Sequence, residues 1–389
     1  MVTLPDAPWR SLPGLGLIAE TLGLENIRAV GGVVRDTLSG KAVSDIDLAT
    51  RHAPQDVIAR LDSVGIKTIP TGLAHGTVTA VLTSGHVEIT TLRRDVATDG
   101  RHATVAFTGD WREDAARRDF TINALYADLA SGEIFDYFGG IGDLSAGVVR
   151  FIGAPLDRIA EDHLRILRFF RFQARYGRGT PDAPSLSACT ARANDLMALS
   201  RERIADELLK LLALPAPADV MAMMITHGIW KPVLPELVSA DPLVNLGEPD
   251  AVRRLAGLLP PDPAIADTIA KRLKLSKAIS KRLVLAAGRG EGDAADPRAL
   301  AYRTGIEAAR DRLTLLGEAD ALSQLEGWSV PILPISGGAL IKRGVSAGPD
   351  VARLLKVIEE QWISEGFPGA ARVEAIADGV ARQCGYPPH

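Results

Sequence analysis

The sequence predicts an α+β chain, a mixed strand-and-helix part reaching to about residue 150 and helices alone beyond it. Three observations carry this expectation. Short strand-like runs alternate with helical patterns as far as Arg150, and from Leu156 onward the apolar spacing is helical. The helical part is broken at proline-rich stretches near residues 232–235, 260–263 and 331–334. A chain of 389 residues is too long for one small core and suggests about two to four domains.

The net charge is −4, so bulk charge gives no sign of a nucleic-acid partner, and any such binding must come from local basic patches. Cys189 and Cys384 are too few for a disulfide scaffold or a thiolate zinc site and fit a reducing compartment. Residues 1–10 lack the apolar run of a signal peptide, and no apolar stretch approaches membrane-spanning length. The expected location is cytoplasmic, with no membrane association and no protein partner implied.

Residues 15–24 have helical spacing, and residues 27–30 read as a strand running into Gly31-Gly32-Val33-Val34-Arg35-Asp36. Two glycines between strand and helix let backbone N–H groups approach an anion. A plain tight turn explains a bare Gly-Gly equally well, and Arg35 can face that turn or simply pair with Asp36. Residues 44–50 read as a second strand. Asp45 and Asp47 then share one face, with Ile46 and Leu48 on the other. Two carboxylates on one face, backed by apolar residues, suit a divalent metal, although an isolated D-x-D is more often a solvated strand end.

Residues 77–82 and 86–92 read as a hairpin through Ser84-Gly85. If the hairpin joins the same sheet, Glu88 is a third carboxylate; otherwise it is an exposed strand residue. Residues 93–110 are polar, lack a period and read as a long loop. In Arg117-Arg118-Asp119-Phe120-Thr121-Ile122-Asn123, a guanidinium suits phosphate oxygens, and Asp or Asn suits sugar hydroxyls.

Within residues 156–176, Asp162, Arg165, Arg168 and Arg171 recur every third residue as a slanted polar row on one helix. Three arginines sharing one or two acids leave cationic capacity unpaired; a solvated face is the plainer reading. Residues 176–184 form a Gly/Pro-rich connector. Residues 200–214 form an amphipathic helix with Ile204, Leu208, Leu209 and Leu212 on one side. Two basic features follow, the run Lys271, Arg272, Lys274, Lys277, Lys281, Arg282 and the pair Lys342-Arg343. Each meets either a phosphate backbone or water.

Taken together, Gly31-Gly32-Val33-Val34-Arg35-Asp36, Asp45-Ile46-Asp47, Arg117 through Ala124, and Glu161-Asp162-His163-Leu164-Arg165-Ile166-Leu167-Arg168 resemble the bacterial tRNA CCA-adding enzyme and poly(A) polymerase family. That family is class II of the polymerase-β-like nucleotidyltransferases. The resemblance covers roughly the first 215 residues, in order and spacing. It implies a polymerase-β-like head of mixed sheet and helices, followed by all-helical neck, body and tail. The expected boundaries are 1–150 (catalytic head), 151–225 (neck, base selection), 226–330 (body) and 331–389 (tail, tRNA binding).

It also implies that Asp45 and Asp47 hold Mg²⁺ and are catalytic, and that Gly32, Arg35 and Arg118 contact the nucleotide. Asp119 and Asn123 would meet the ribose, Asp162 and Arg165 would select the base, and Arg168 and Arg171 would extend the row toward phosphate or stabilise the base readers. Cytosine and adenine each present an amino donor beside a ring-nitrogen acceptor. An Asp acceptor and an Arg donor complement that pair, whereas guanine and uracil reverse it. The expected substrates are tRNA, CTP and ATP. The expected reaction adds C, C and A to the tRNA 3′ end without a template, by two-metal attack of the 3′-hydroxyl on the α-phosphate.

The rivals are a poly(A) polymerase or a partial CC- or A-adding enzyme of the same family, a non-catalytic RNA-binding module, and a small-molecule nucleotidyltransferase. The acidic net charge leans against the polyadenylating type. None of the seven histidines is followed by Asp, so no His-Asp hydrolase domain is expected.

Overall fold

A computed structural model of the chain describes residues 2–99 and 102–386, with side chains outside the description at 95–99 and 102–105. It divides into two compact units, Met1–Ala240 and Asp241–His389.

The first unit is built on a seven-stranded sheet of order β3-β4-β5-β2-β1-β8-β9. The strands are β1 (Ile27–Val30), β2 (Ile46–Thr50), β3 (Lys67–Gly72), β4 (Thr77–Leu82), β5 (Gly85–Thr91), β8 (Leu125–Ala127) and β9 (Ile134–Asp136). Each neighbouring pair is antiparallel except β2 and β5, which run parallel. Period-two alternation decides the faces. Leu48, Val78, Ala80, Val87 and Ile89 are buried together with helix α1 (Leu15–Leu22), while Asp47 and Glu88 point the other way. Helix α2 (Gly32–Leu38) follows β1 directly, and α3 (Pro54–Ser63), with proline at its first position, packs Val57 and Leu61 into the same core.

Residues 93–110 correct the sequence reading. They hold a second, two-stranded sheet, β6 (Arg93–Asp99) paired antiparallel with β7 (His102–Phe107), where a loop was expected. The polar composition of the segment and a register shift between Asp95 and Ala97 hide its strand period. The connection at 100–101 lies outside the described residues.

Helices α4 (Trp111–Ala116), α5 (Gly140–Ala146), α6 (Pro155–Glu161), α7 (Arg165–Tyr176), α8 (Ala183–Ala191), α9 (Arg201–Leu212) and α10 (Ala218–Thr226) complete this unit. An aromatic cluster ties α7 to the sheet part. Phe120 lies 4.9 Å from Phe151 and 5.2 Å from Phe172 between ring centres, and Phe151 stacks on Phe169 at 5.9 Å. Such pairs stabilise by about 0.5–1.5 kcal/mol each beyond their burial. On α9 the buried large apolar residues are Ile204, Leu208, Leu211 and Leu212, so Leu211 takes the place expected for Leu209.

The second unit is helical: α11 (Ala251–Leu258), α12 (Pro263–Arg272), α13 (Lys277–Ala287), α14 (Pro297–Thr304), α15 (Ile306–Leu316), α16 (Ala319–Ser323), α17 (Gly337–Ile341), α18 (Pro349–Ser364) and α19 (Ala370–Gln383). One core gathers on Leu313 and Leu325, another on Trp362, Ile358 and Val373. Its basic run is partly structural. Arg282 bonds the fully buried Asp311 at 2.7 Å and also Asp250, Lys271 pairs with Asp267, and Arg343 pairs with Asp378. Lys277 and Lys281 stay exposed. No described helix is long and apolar enough to cross a membrane.

Candidate active site

One cavity of about 550 Å³ in the first unit collects the residues that the sequence singled out. Gly31, Gly32, Arg35, Asp45 and Asp47 line one part, Arg118, Asp119 and Asn123 another, and Asp162, Arg165, Arg168 and Arg171 a third. Arg117 and Phe172 also line it and lay outside the expected nucleotide contacts.

The glycine turn depends on Gly31. Its backbone has φ +68° and ψ −117°, a region open essentially to glycine alone, and an added Cβ would meet the Arg118 guanidinium at 3.3 Å. Gly32 is an ordinary first residue of α2. Arg35, one turn further, both pairs and faces the cavity. It donates to Asp36 at 2.9 Å and to the side-chain oxygen of Asn123, and its guanidinium lies 4.4 Å from the Tyr176 ring centre.

Asp45 is the exposed residue before β2, and Asp47 is half-buried within it. Asp47 stands opposite Glu88 in the parallel β2–β5 pair. Burial, then Glu88 and Asp45, push the Asp47 carboxyl upward, with Arg118 pulling the other way. Among the described residues Asp47 accepts no protein hydrogen bond or ion pair. Crowded carboxylates with free lone pairs fit a divalent cation. No group of three or more His, Cys, Asp or Glu among the described residues forms a ready cage. Glu88 shares the face of Asp47 but is exposed and does not line the cavity.

Behind Arg118 lies Asp114, 1% exposed. It accepts from Arg117 at 2.9 Å, Arg118 at 3.1 Å, Tyr126 at 2.6 Å and the Arg93 backbone N–H at 3.2 Å. Burial alone would raise its carboxyl. The two guanidiniums and the Tyr126 hydroxyl outweigh that and hold it well below the usual range.

Asp119 and Asn123 are committed to protein partners. Asp119 accepts from Arg168 at 2.7 Å, Asn123 at 2.9 Å and the Phe120 N–H at 2.9 Å. These donors outweigh its burial and lower its pKa. A continuous chain, Arg35–Asn123–Asp119–Arg168, therefore joins the glycine-turn side of the cavity to α7.

The expected polar row is not one continuous helix. Asp162 is extended, φ −153° and ψ 107°, in the break between α6 and α7. Its carboxylate accepts from Arg203 at 2.7 Å and from the Leu164 N–H at 3.1 Å. Nor are the arginines unpaired. Arg165 bonds Glu161 and the Arg117 carbonyl, Arg168 bonds Asp119, and Arg171 bonds Glu207 at 2.6 Å. The acids came from outside the row, which the local charge count missed. All four residues nonetheless line the cavity.

A mixed sheet bearing this glycine turn, the carboxylates and the arginine wall defines a nucleotidyltransferase. Residues 27–150 match the family described as poly A polymerase head domain, and residues 180–241 match the probable RNA and SrmB-binding site of polymerase A. The mitochondrial CCA tRNA nucleotidyltransferase 1 of Mus musculus is 36% identical, over 91% of this chain and 87% of that one. The CCA-adding enzyme of Lactococcus lactis is 32% identical, over 86% and 88%. The crystal structure of the Bacillus stearothermophilus CCA-adding enzyme in complex with CTP superposes with a TM-score of 0.75 at 26% identity, covering 92% of this chain and 94% of that one. The chain belongs to the family of CCA tRNA nucleotidyltransferases, the CCA-adding enzymes. As a nucleotidyltransferase family it is metal-dependent.

Proposed function

We propose that this protein adds C, C and A to the tRNA 3′ end from CTP and ATP, taking its base instructions from side chains. The observation that carries this is the single cavity holding Asp45 and Asp47 together with Asp162 and Arg165. Asp45 and Asp47 would hold Mg²⁺, which when bound activates the 3′-hydroxyl and offsets charge at the α-phosphate. Gly32 and Arg35 would receive the triphosphate, and Arg118, braced by Asp114, would add positive charge there. Asp119 and Asn123 orient Arg168 and Arg35. Asp162 would accept from the amino group of cytosine or adenine, and Arg165 would donate to the adjacent ring nitrogen. Guanine or uracil would offer neither side chain a complementary partner, so Asp162 and Arg165 would keep the protein contacts they already have, with Arg203 and Glu161.

We assign the catalytic head to residues 1–150, base selection to the neck at 151–225, a helical body to 226–330, and tRNA binding to the tail at 331–389. A cytoplasmic setting suits two free cysteines, although the animal relatives are mitochondrial by name. The match to a poly A polymerase head keeps ATP-only addition as the rival. One experiment separates them: tRNA transcripts ending before CCA are incubated with CTP, ATP and Mg²⁺, and the products are sequenced. Addition of C, C and A is expected. Absence of CMP incorporation sinks the proposal.

A further inference from the structure

A second cavity, of about 620 Å³, lies in the first unit apart from the nucleotide cavity. Three cations from separate segments line it: Lys41 just after α2, Arg175 near the end of α7, and Arg178 in the loop beyond. Ser39 and Ser145 add hydroxyls, and no carboxylate is among the described residues of its lining. Lys41 and Arg178 are exposed, and among the described residues neither side chain has an acidic partner. Arg175 makes one contact of 3.3 Å to Asp36 and keeps 36% of its side chain exposed.

Two of these cations converge on one ring. The Lys41 nitrogen is 5.7 Å, and the Arg175 guanidinium carbon 5.4 Å, from the centre of Tyr176. Arg35, which lines the nucleotide cavity, lies 4.4 Å from the same ring. Tyr176, which lines this second cavity, therefore also packs against a residue of the first. Asp36 partly offsets Arg175, but Lys41 and Arg178 have no acidic partner among the described residues, and an anion seated between the cations relieves their repulsion.

We propose that this second cavity is a phosphate clamp for the sugar-phosphate backbone of the RNA whose 3′ end is being extended. The inference rests on the tRNA reading above. Its lining offers cations and hydroxyls but no acidic acceptor to read a base, which suits sequence-independent backbone contact. The chain is acidic overall, and several basic residues of its second unit are consumed by internal ion pairs, so unpaired cations next to the active cavity have particular weight.

The test is the double variant Lys41→Ala/Arg178→Ala, in which both altered side chains are solvent-exposed. Binding of a tRNA transcript lacking CCA is titrated across salt concentration, alongside steady-state kinetics. Loss of two single-strand phosphate contacts should weaken tRNA binding about tenfold at low salt and flatten the slope of log Kd against log salt by about 1.4. The KM for CTP and kcat at saturating tRNA should not move. Unchanged tRNA affinity and slope would overturn the clamp. A raised KM for CTP, or altered pyrophosphate inhibition, with tRNA affinity unchanged would overturn it too, by assigning the cavity to free phosphates. The titration needs no turnover, so a wild-type protein that failed to add CMP would refute the reaction while the clamp was still judged by its own binding result.

Discussion

Asp119→Asn removes one negative charge from the middle of the Arg35–Asn123–Asp119–Arg168 chain while keeping side-chain size. Asp119 is 6% exposed, and its ion pair with Arg168 is 2.6 Å long. Removing one member of a buried pair costs about 3–5 kcal/mol, because the survivor is left desolvated and unopposed. The Arg168 side chain keeps 32% exposure and can recover some water, which favours the lower end, about 3 kcal/mol. For a unit of this size that amounts to a fall in Tm of about 6–12 °C. The same change frees Arg168, whereas the retained amide oxygen still accepts from Asn123, so KM for CTP and for ATP should rise together through Arg168. Differential scanning calorimetry and initial-rate kinetics with each nucleotide read both consequences. A variant within 1 °C of wild type by about the scatter expected of surface changes, with both KM values unchanged, would refute the bridge as an organising element.

Asp47→Asn should abolish nucleotide incorporation yet leave the metal-free protein as stable as wild type or more so. Asp47 is burdened by burial and by its neighbours Glu88 and Asp45, and urea titration checks the sign. Gly31→Ala should cost about 1–3 kcal/mol, since alanine disfavours φ +68°, and should raise KM for CTP because the new methyl crowds Arg118; unfolding and kinetics together test it. Asp114 and Asp119 both have folded-state pKa values below the ordinary carboxylate value. Their stabilisation is therefore fully present above the unfolded pKa of about 4 and is lost as pH falls through the folded values. The urea midpoint should be nearly flat between pH 7 and 5 and fall below about pH 4, and Asp119→Asn should shallow that fall.

Local signals in the sequence were enough to find the strand that carries Asp47, though it starts at Ile46 and leaves Asp45 just before it, the glycine turn, the hairpin of β4 and β5, and the change to helices. In each, a short-range period or turn residue decides the structure. Long-range pairing was not legible. Glu207 lies thirty-six residues from Arg171, and Asp119 forty-nine from Arg168, so counting charges along one helix left arginines unpaired that the fold pairs. The row itself misled where Asp162 leaves helical geometry, because three-residue spacing does not report a break. Arg117 and Arg118 were open to a fuller reading. Asp114 precedes them by three and four residues on α4, a spacing that anticipates their shared carboxylate. Which of two adjacent glycines needs the unusual backbone is decided only when β1 meets α2, and it is Gly31.

Asp162 and Arg165 wait with partners already in place, Asp162 on Arg203 and Arg165 on Glu161. On the proposed reading of these two as the base readers, arrival of a nucleotide base is an exchange of hydrogen bonds in which their number is nearly conserved, so the correct base gains little affinity from them. A wrong base faces two side chains that prefer to stay where they are. Fidelity in such a site comes from refusal, and GTP or UTP should behave as bystanders in the assay, leaving CMP and AMP addition largely uninhibited.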